Sequence, residues 1–156
     1  MERSETILFP HQIIEALTTR FPGIVVKPSW GETALFYNPD HALPNGVYFG
    51  TVKERNGEND RASRLDRAGV FRFNVGIDTE AYTRRFGPKP ARPPKGQVIA
   101  TGHDFSALDV VLPHPIYAWM GWVCILAPSK ASLEGLWPEI EAGYCLVQQK
   151  FRSRAK

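Results

Sequence analysis

The sequence predicts an α+β fold: one compact domain built on an antiparallel sheet of about five or six strands, with helices packed on one side. Three observations carry this. Short apolar runs, each closed by a turn signal, recur between Ile24 and Leu126. Segments with helical apolar spacing stand near the two ends of the chain, at Ile13–Phe21 and Ile140–Phe151. And 156 residues fit a single domain, because domains cluster near ~100–150 residues and bury roughly two-thirds of their unfolded surface at this size. The domain is read as residues 1–156, with a Pro-rich surface loop at 87–96 and a basic C-terminal tail at 152–156.

The elements follow in order. Ile13, Ile14, Leu17 and Phe21 recur at helical spacing, Pro10 suits a first helical turn, and Pro22-Gly23 stops the helix. Ile24 to Lys27 reads as a short strand closed by Pro28. Ala34 to Tyr37 is a second apolar run, ended by the turn Asn38-Pro39-Asp40. Pro44-Asn45-Gly46 makes another turn and Val47 to Lys53 returns as a strand, giving an antiparallel meander. Residues 54–69 are polar and connect two strands. Val70 to Val75 then alternates: Phe71, Phe73 and Val75 point one way, Arg72 and Asn74 the other. Asp78 caps a helix that runs to Phe86 and stops at Gly87.

The stretch Gly87 to Gly96 holds four prolines in ten residues, so it is neither helix nor central strand. Val98-Ile99, a small segment at Phe105–Leu112 and the Pro113-His114-Pro115 corner come next. Trp122 to Leu126 is the most apolar strand and is expected inside the sheet. Pro138 is expected to open the last helix, with the stripe Ile140, Tyr144, Val147 and Phe151 facing the core.

Composition excludes whole classes. With 43% apolar and 22% charged residues the chain is an ordinary globular one, neither disordered nor fibrous. No apolar run approaches the ~18–20 residues of a membrane span, so no membrane is expected among its partners. No secretory signal opens the chain, and Cys124 and Cys145 sit singly in apolar runs, so reduced thiols and a cytoplasmic setting are expected. The formal charge is only +3. Its cations gather at Lys150, Arg152, Arg154 and Lys156 and at Lys89, Arg92 and Lys95, which read as a solvated tail and a solvated loop.

Chemistry is sought in three places. In Glu58–Arg67, Arg61, Arg64 and Arg67 alternate with Asp60 and Asp66. Carboxylates hold guanidinium forks bidentately, so the segment is either a loop stitched by its own ion pairs or a mount that aims Arg64 and Arg67 at an anion. Arg72 and Asn74 join such a site if the polar face of their strand is concave. The second place is His103-Asp104 together with His114. Histidine suits acid–base work, but these residues lack metal-ligand spacing, and no metal or cofactor is expected. The third is Tyr117, Trp119 and Trp122, packed into six residues beside a Pro-His-Pro corner that would make a pocket lip. No nucleophile elbow, phosphate loop or activated cysteine is present, and no residue is nominated as catalytic.

The runs Phe36-Tyr37-Asn38-Pro39-Asp40, Glu58 to Arg67 with Gly69-Val70-Phe71-Arg72, Gly102-His103-Asp104-Phe105 and Pro113–Val123 resemble a bacterial family of unknown function, over nearly the whole chain. More loosely, the Val70–Val75 strand with the Asp78 helix, Tyr117, Trp122 and the Tyr144-Cys145-Leu146-Val147 helix resemble the MmcQ/YjbR family. That resemblance implies a CyaY-like α+β domain and DNA binding. Where its pattern has a lysine this chain has Asn74, and where it has basic residues before the tryptophan it has Met120-Gly121. Both differences remove cations, and phosphate contact dominates DNA affinity.

The reading that results is a non-enzymatic domain binding a small anionic or aromatic molecule. Its expected site is Arg61, Arg64, Arg67, Arg72, Asn74, His103, Asp104, His114, Tyr117 and Trp119. DNA binding is the first alternative, and an enzyme using His103 and Asp104 the second.

Overall fold

A computed structural model describes residues 6–155. Its elements are helix α1 (Pro10–Arg20), strands β1 (Ile24–Ser29), β2 (Glu32–Tyr37), β3 (Val47–Lys53) and β4 (Arg72–Gly76), helix α2 (Thr79–Phe86), strands β5 (Val111–Pro113) and β6 (Trp122–Leu126), and helix α3 (Lys130–Arg154). The six strands form one antiparallel sheet in the order β1-β2-β3-β4-β6-β5. The expected α+β class and strand number both hold.

One face of the sheet makes the main core. Leu35, Val52, Phe73, Val75, Val123 and Ile125 point to that side and pack with Ile13 and Leu17 of α1, Ala81 and Tyr82 of α2, and Leu136 and Ile140 of α3. All three helices therefore cover the same face. Asp78 caps α2 as expected, its carboxylate accepting the Ala81 N–H at 2.7 Å.

The structure departs from the sequence reading at two backbone points. Strand β1 runs through Pro28 to Ser29 rather than closing before it. Because β1 is an edge, the missing proline N–H costs no ladder bond there. After the Pro-rich loop, Ile99 is buried outside any strand, and its N–H bonds the Pro115 carbonyl at 2.9 Å. The last helix starts at Lys130 and passes through Pro138 instead of beginning there. Ser129 caps it by accepting the Ser132 N–H, and Leu133 and Leu136 pull its first turns into the core. Pro138 lies on the exposed side, where the carbonyl it leaves unpaired faces water. The same helix takes in Arg152 and Arg154, so the expected basic tail is its last turn; Lys156 lies outside the described residues.

Among the described residues no α-helix packs on the opposite face. Register places Thr51 beside Asn74 and Cys124, and Lys53 beside Arg72 and Leu126, in two rows across β3, β4 and β6. Toward β5 this face is closed by a small apolar cluster of Leu65, Leu112, Cys124 and Leu126. Toward β3 it is covered by the segments 54–69, 87–97 and 113–121, and there the cleft lies.

Candidate functional site: a roofed cleft on the helix-free face of the sheet

The alternation in β4 sends Arg72 and Asn74 away from the main core, as the sequence implies, but not into solvent. Both are 0% exposed. Arg72 grips Asp60 bidentately, Nη1 to Oδ1 at 3.0 Å and Nη2 to Oδ2 at 2.5 Å. Its Nη1 also donates to Ser63 Oγ at 2.9 Å and its Nε to Asn74 Oδ1 at 2.8 Å. Asn74 passes the chain on, donating to Thr51 Oγ1 at 2.9 Å. A buried guanidinium is tolerable only with this degree of pairing.

The loop that delivers Asp60 is held from several sides. Gly57 and Asp60 exchange backbone bonds at 3.1 and 3.2 Å, Asn56 Oδ1 accepts the Leu65 N–H, and Leu65 anchors in the small apolar cluster. Arg67 donates to the carbonyls of Ser63, Arg64 and Ser106, each at 2.9 Å. The expected pairing of Asp60 and Asp66 with Arg64 and Arg67 is therefore corrected. Asp60 belongs to Arg72, Arg67 is a backbone clamp, and Arg61, Arg64 and Asp66 are exposed.

His114 stands beside this network and is 3% exposed. Its Nδ1 accepts the backbone N–H groups of Ile116 and Tyr117, both at 3.1 Å, which puts the ring proton on Nε2. Nε2 lies 3.5 Å from Arg72 Nη2; two donors face each other there, and neither serves the other. Burial and the Arg72 charge push the His114 pKa well below its ordinary value against the pull of Asp60, so the ring is neutral. Burial would raise the Asp60 carboxyl, but the Arg72 hydrogen bond and charge outweigh it and hold the group below the usual carboxylate range. Burial pushes the Cys124 thiol up to about 12, leaving it inert beneath the face.

Above this floor opens a cleft of about 870 Å³. Lys53, Asp60 and His114 line its base, and Tyr117, Trp119 and Met120 line one wall. The Pro-rich loop lines another, with Arg92 stacked over the Trp119 ring at 4.9 Å. The Trp119 indole N–H is buried without a partner. Five cationic and three acidic side chains border the space. Asp60 is neutralised by Arg72, and Glu32 lies 3.8 Å from Lys53. The cationic excess therefore rests with Arg92, Lys95, Lys150 and Arg154, opposed by Glu58 alone.

Of the expected site residues, His114, Tyr117 and Trp119 line the cleft and Arg72 and Asn74 support it from beneath. Arg61, Arg64 and Arg67 do not reach it. His103 and Asp104 lie elsewhere on the surface. His103 is exposed, bonded to Thr101 Oγ1 at 2.8 Å and set against Phe86. Asp104 turns onto Ser106, whose hydroxyl and N–H lower its carboxyl pKa, and closes its own loop. No cluster of metal-ligating side chains occurs among the described residues. Sequence reasoning read the cations that border the cleft as a solvated loop and a solvated tail, because Arg92 and Lys95 are more than 50 residues from Lys150 and Arg154 and only the fold joins them. It missed Trp30, Tyr48 and Lys53.

These features define a class of protein: a small α+β domain whose sheet carries helices on one face and a loop-roofed, polar-floored cleft on the other. The chain belongs to a family of unknown function, DUF6194, whose model matches residues 8–156. No curated protein and no solved structure matches it.

Proposed function

We propose that the protein is a non-enzymatic binding domain that takes a small anionic ligand into the cleft on the helix-free face. The observation that carries this is the meeting of Arg92 and Lys95 with Lys150 and Arg154 at one concave rim, over a floor whose own charges are already paired. The border of the cleft thus carries four cations against one unpaired carboxylate, a charge balance that favours an anion inside it. The Trp119 indole N–H is a buried donor without an acceptor, and an oxygen atom of a ligand would satisfy it.

The groups that face the cleft do not make a reacting set. Asp60 is held ionised by Arg72 and the His114 Nδ1 is taken by two backbone donors, while the Cys124 thiol is buried outside the cleft and stays protonated. His103 and Asp104, the pair an enzymatic reading needs, line no part of the cleft. The same rim gives the DNA reading implied by the MmcQ/YjbR resemblance its best support. Its cations border a hollow rather than a flat face, which favours a small ligand, and a cytoplasmic metabolite fits the expected setting.

Thermal shift against a panel of phosphorylated and carboxylated metabolites tests the proposal, since a ligand at about one hundred times its Kd adds ~2.7 kcal/mol of stability. A hit whose effect is lost in Lys150→Glu/Arg154→Glu is the expected result. A panel without a hit, or a hit indifferent to that double change, overturns it. Tight binding of duplex DNA with steep salt dependence would replace it by the alternative.

A further inference from the structure

The turn joining β1 and β2 is two residues long, because Ser29 pairs directly with Glu32. Both turn residues, Trp30 and Gly31, have positive φ, at 52° and 78°. This is the pattern of a type I′ hairpin, where the first position favours Asn, Asp or Gly. A tryptophan there carries a backbone conformation that bulky L-residues avoid. Nothing in the fold compensates for it. Trp30 is 92% exposed, and a Cβ added at Gly31 would meet no atom within 4 Å, so the tip stands clear of the rest of the chain.

What Trp30 does border is the cleft. It lines it together with Tyr48, Tyr117 and Met120, all of them large apolar side chains left exposed. Trp30, Tyr48 and Arg154 also border a second hollow of about 400 Å³. There Lys27 Nζ lies 5.8 Å from the centroid of the Phe36 ring. Aromatic side chains and cations thus both border the hollows beside this hairpin.

We infer that Trp30 is a stacking platform, and that the anion held at the rim belongs to a planar aromatic ring which lies on the Trp30 indole. The inference rests on the proposed anion site and names its ligand class: an aromatic phosphate or an aromatic carboxylate. The strain at φ 52° is tolerated because the turn must present an indole at the mouth of the cleft. Ring stacking supplies affinity that the cations alone do not, and it tolerates any flat π-face.

The test compares ring-bearing anions with ring-free counterparts: adenosine monophosphate against ribose 5-phosphate, and indole-3-acetate against acetate. Each is titrated into the wild-type protein and into Trp30→Asn. Asparagine suits the turn, so the variant is expected to melt about 2–4 °C higher. At least one aromatic probe should bind the wild type at least about tenfold more tightly than its counterpart. The variant should lose that preference while keeping affinity for the ring-free anion.

Three results overturn the inference. One is equal binding of aromatic and ring-free anions by the wild type. Another is an aromatic preference unchanged in Trp30→Asn. The third is a variant that melts lower than the wild type, which makes Trp30 a structural residue. In the first and second cases the anion site itself stands. If no probe of either kind binds, the proposed function falls, and the platform with it.

Discussion

At the scale of the residue, the centre of gravity is Arg72, because its charge is wholly buried and its partners come both from its own strand and from the 54–69 loop. Removing one member of a buried pair leaves the other unpaired, at a cost of about 3–5 kcal/mol, whereas replacing both can be close to neutral. Urea denaturation should therefore find Arg72→Met severely destabilised and Arg72→Met/Asp60→Leu much less so. Equal losses in the two would mean that Asp60 is not its essential partner. His114 supplies a pH signature. Its folded pKa lies well below the unfolded value near 6.5, so below that pH the unfolded chain binds a proton that the folded chain refuses. The stabilising contribution is full above about pH 6.5 and declines as pH falls toward the folded pKa. Asp60, also depressed, adds a second loss only below about pH 3.9. His114→Asn keeps an acceptor for the Ile116 and Tyr117 N–H groups and removes the titration, so the slope of stability between pH 5 and 6.5 should flatten. An unchanged slope would assign it to another group.

At the scale of the element, β3, β6 and α2 were legible because their cause is local, whereas the short β5 was not read as a strand. Val47–Lys53 matches β3 to the residue, and the Asp78 cap and Gly87 stop bracket α2 as the sequence implies. The start of α3 was not legible, because a proline normally opens or breaks a helix and here only tertiary packing overrides it. The polar row of β4 shows the same limit from the other side. Period-two alternation tells which residues share a face, but whether that face is wet depends on Asp60 and Ser63, which arrive from the preceding loop. Helix α3 also makes a prediction that propensity alone would reverse. Gly143 lies where α3 crosses the end of β4, and a Cβ there would sit 2.2 Å from the Gly76 carbonyl oxygen. Glycine-to-alanine in a helix normally gains up to about 1 kcal/mol. Gly143→Ala should instead lose about 1–3 kcal/mol, the usual range for overpacking. A thermal melt at or above that of the wild type would show that the helix can ride outward freely.

At the scale of the whole molecule, the cleft is a product of topology. The strand order brings the 54–69 loop, the Pro-rich loop and the Pro113–Gly121 corner over one face, while all three helices pack on the other and only the last turns of α3 reach the cleft border, through Lys150 and Arg154. This is why the candidate site was only half legible. Tyr117, Trp119 and His114 advertise themselves by local clustering, whereas Lys95 and Lys150 become neighbours of one cleft only after folding. It is also why Arg61 and Arg64 misled: density of charge along the chain says nothing about direction, and the loop's Asp60 pairs with Arg72 rather than with its own arginines. A ligand seated across such a site must touch segments far apart in sequence. Hydrogen exchange with an aromatic anion such as adenosine monophosphate, at a saturating concentration, reads this directly. Slower exchange is expected together at Gly57–Asp60, Lys95–Gln97, Ile116–Trp119 and the Trp30 turn, because closure over one occupant reduces local opening in all of them. No change is expected at Gly102–Ser106, which lines no part of the cleft. Protection confined to one of these segments, or appearing at Gly102–Ser106, would place the anion outside the cleft and remove the joint site on which the binding proposal rests.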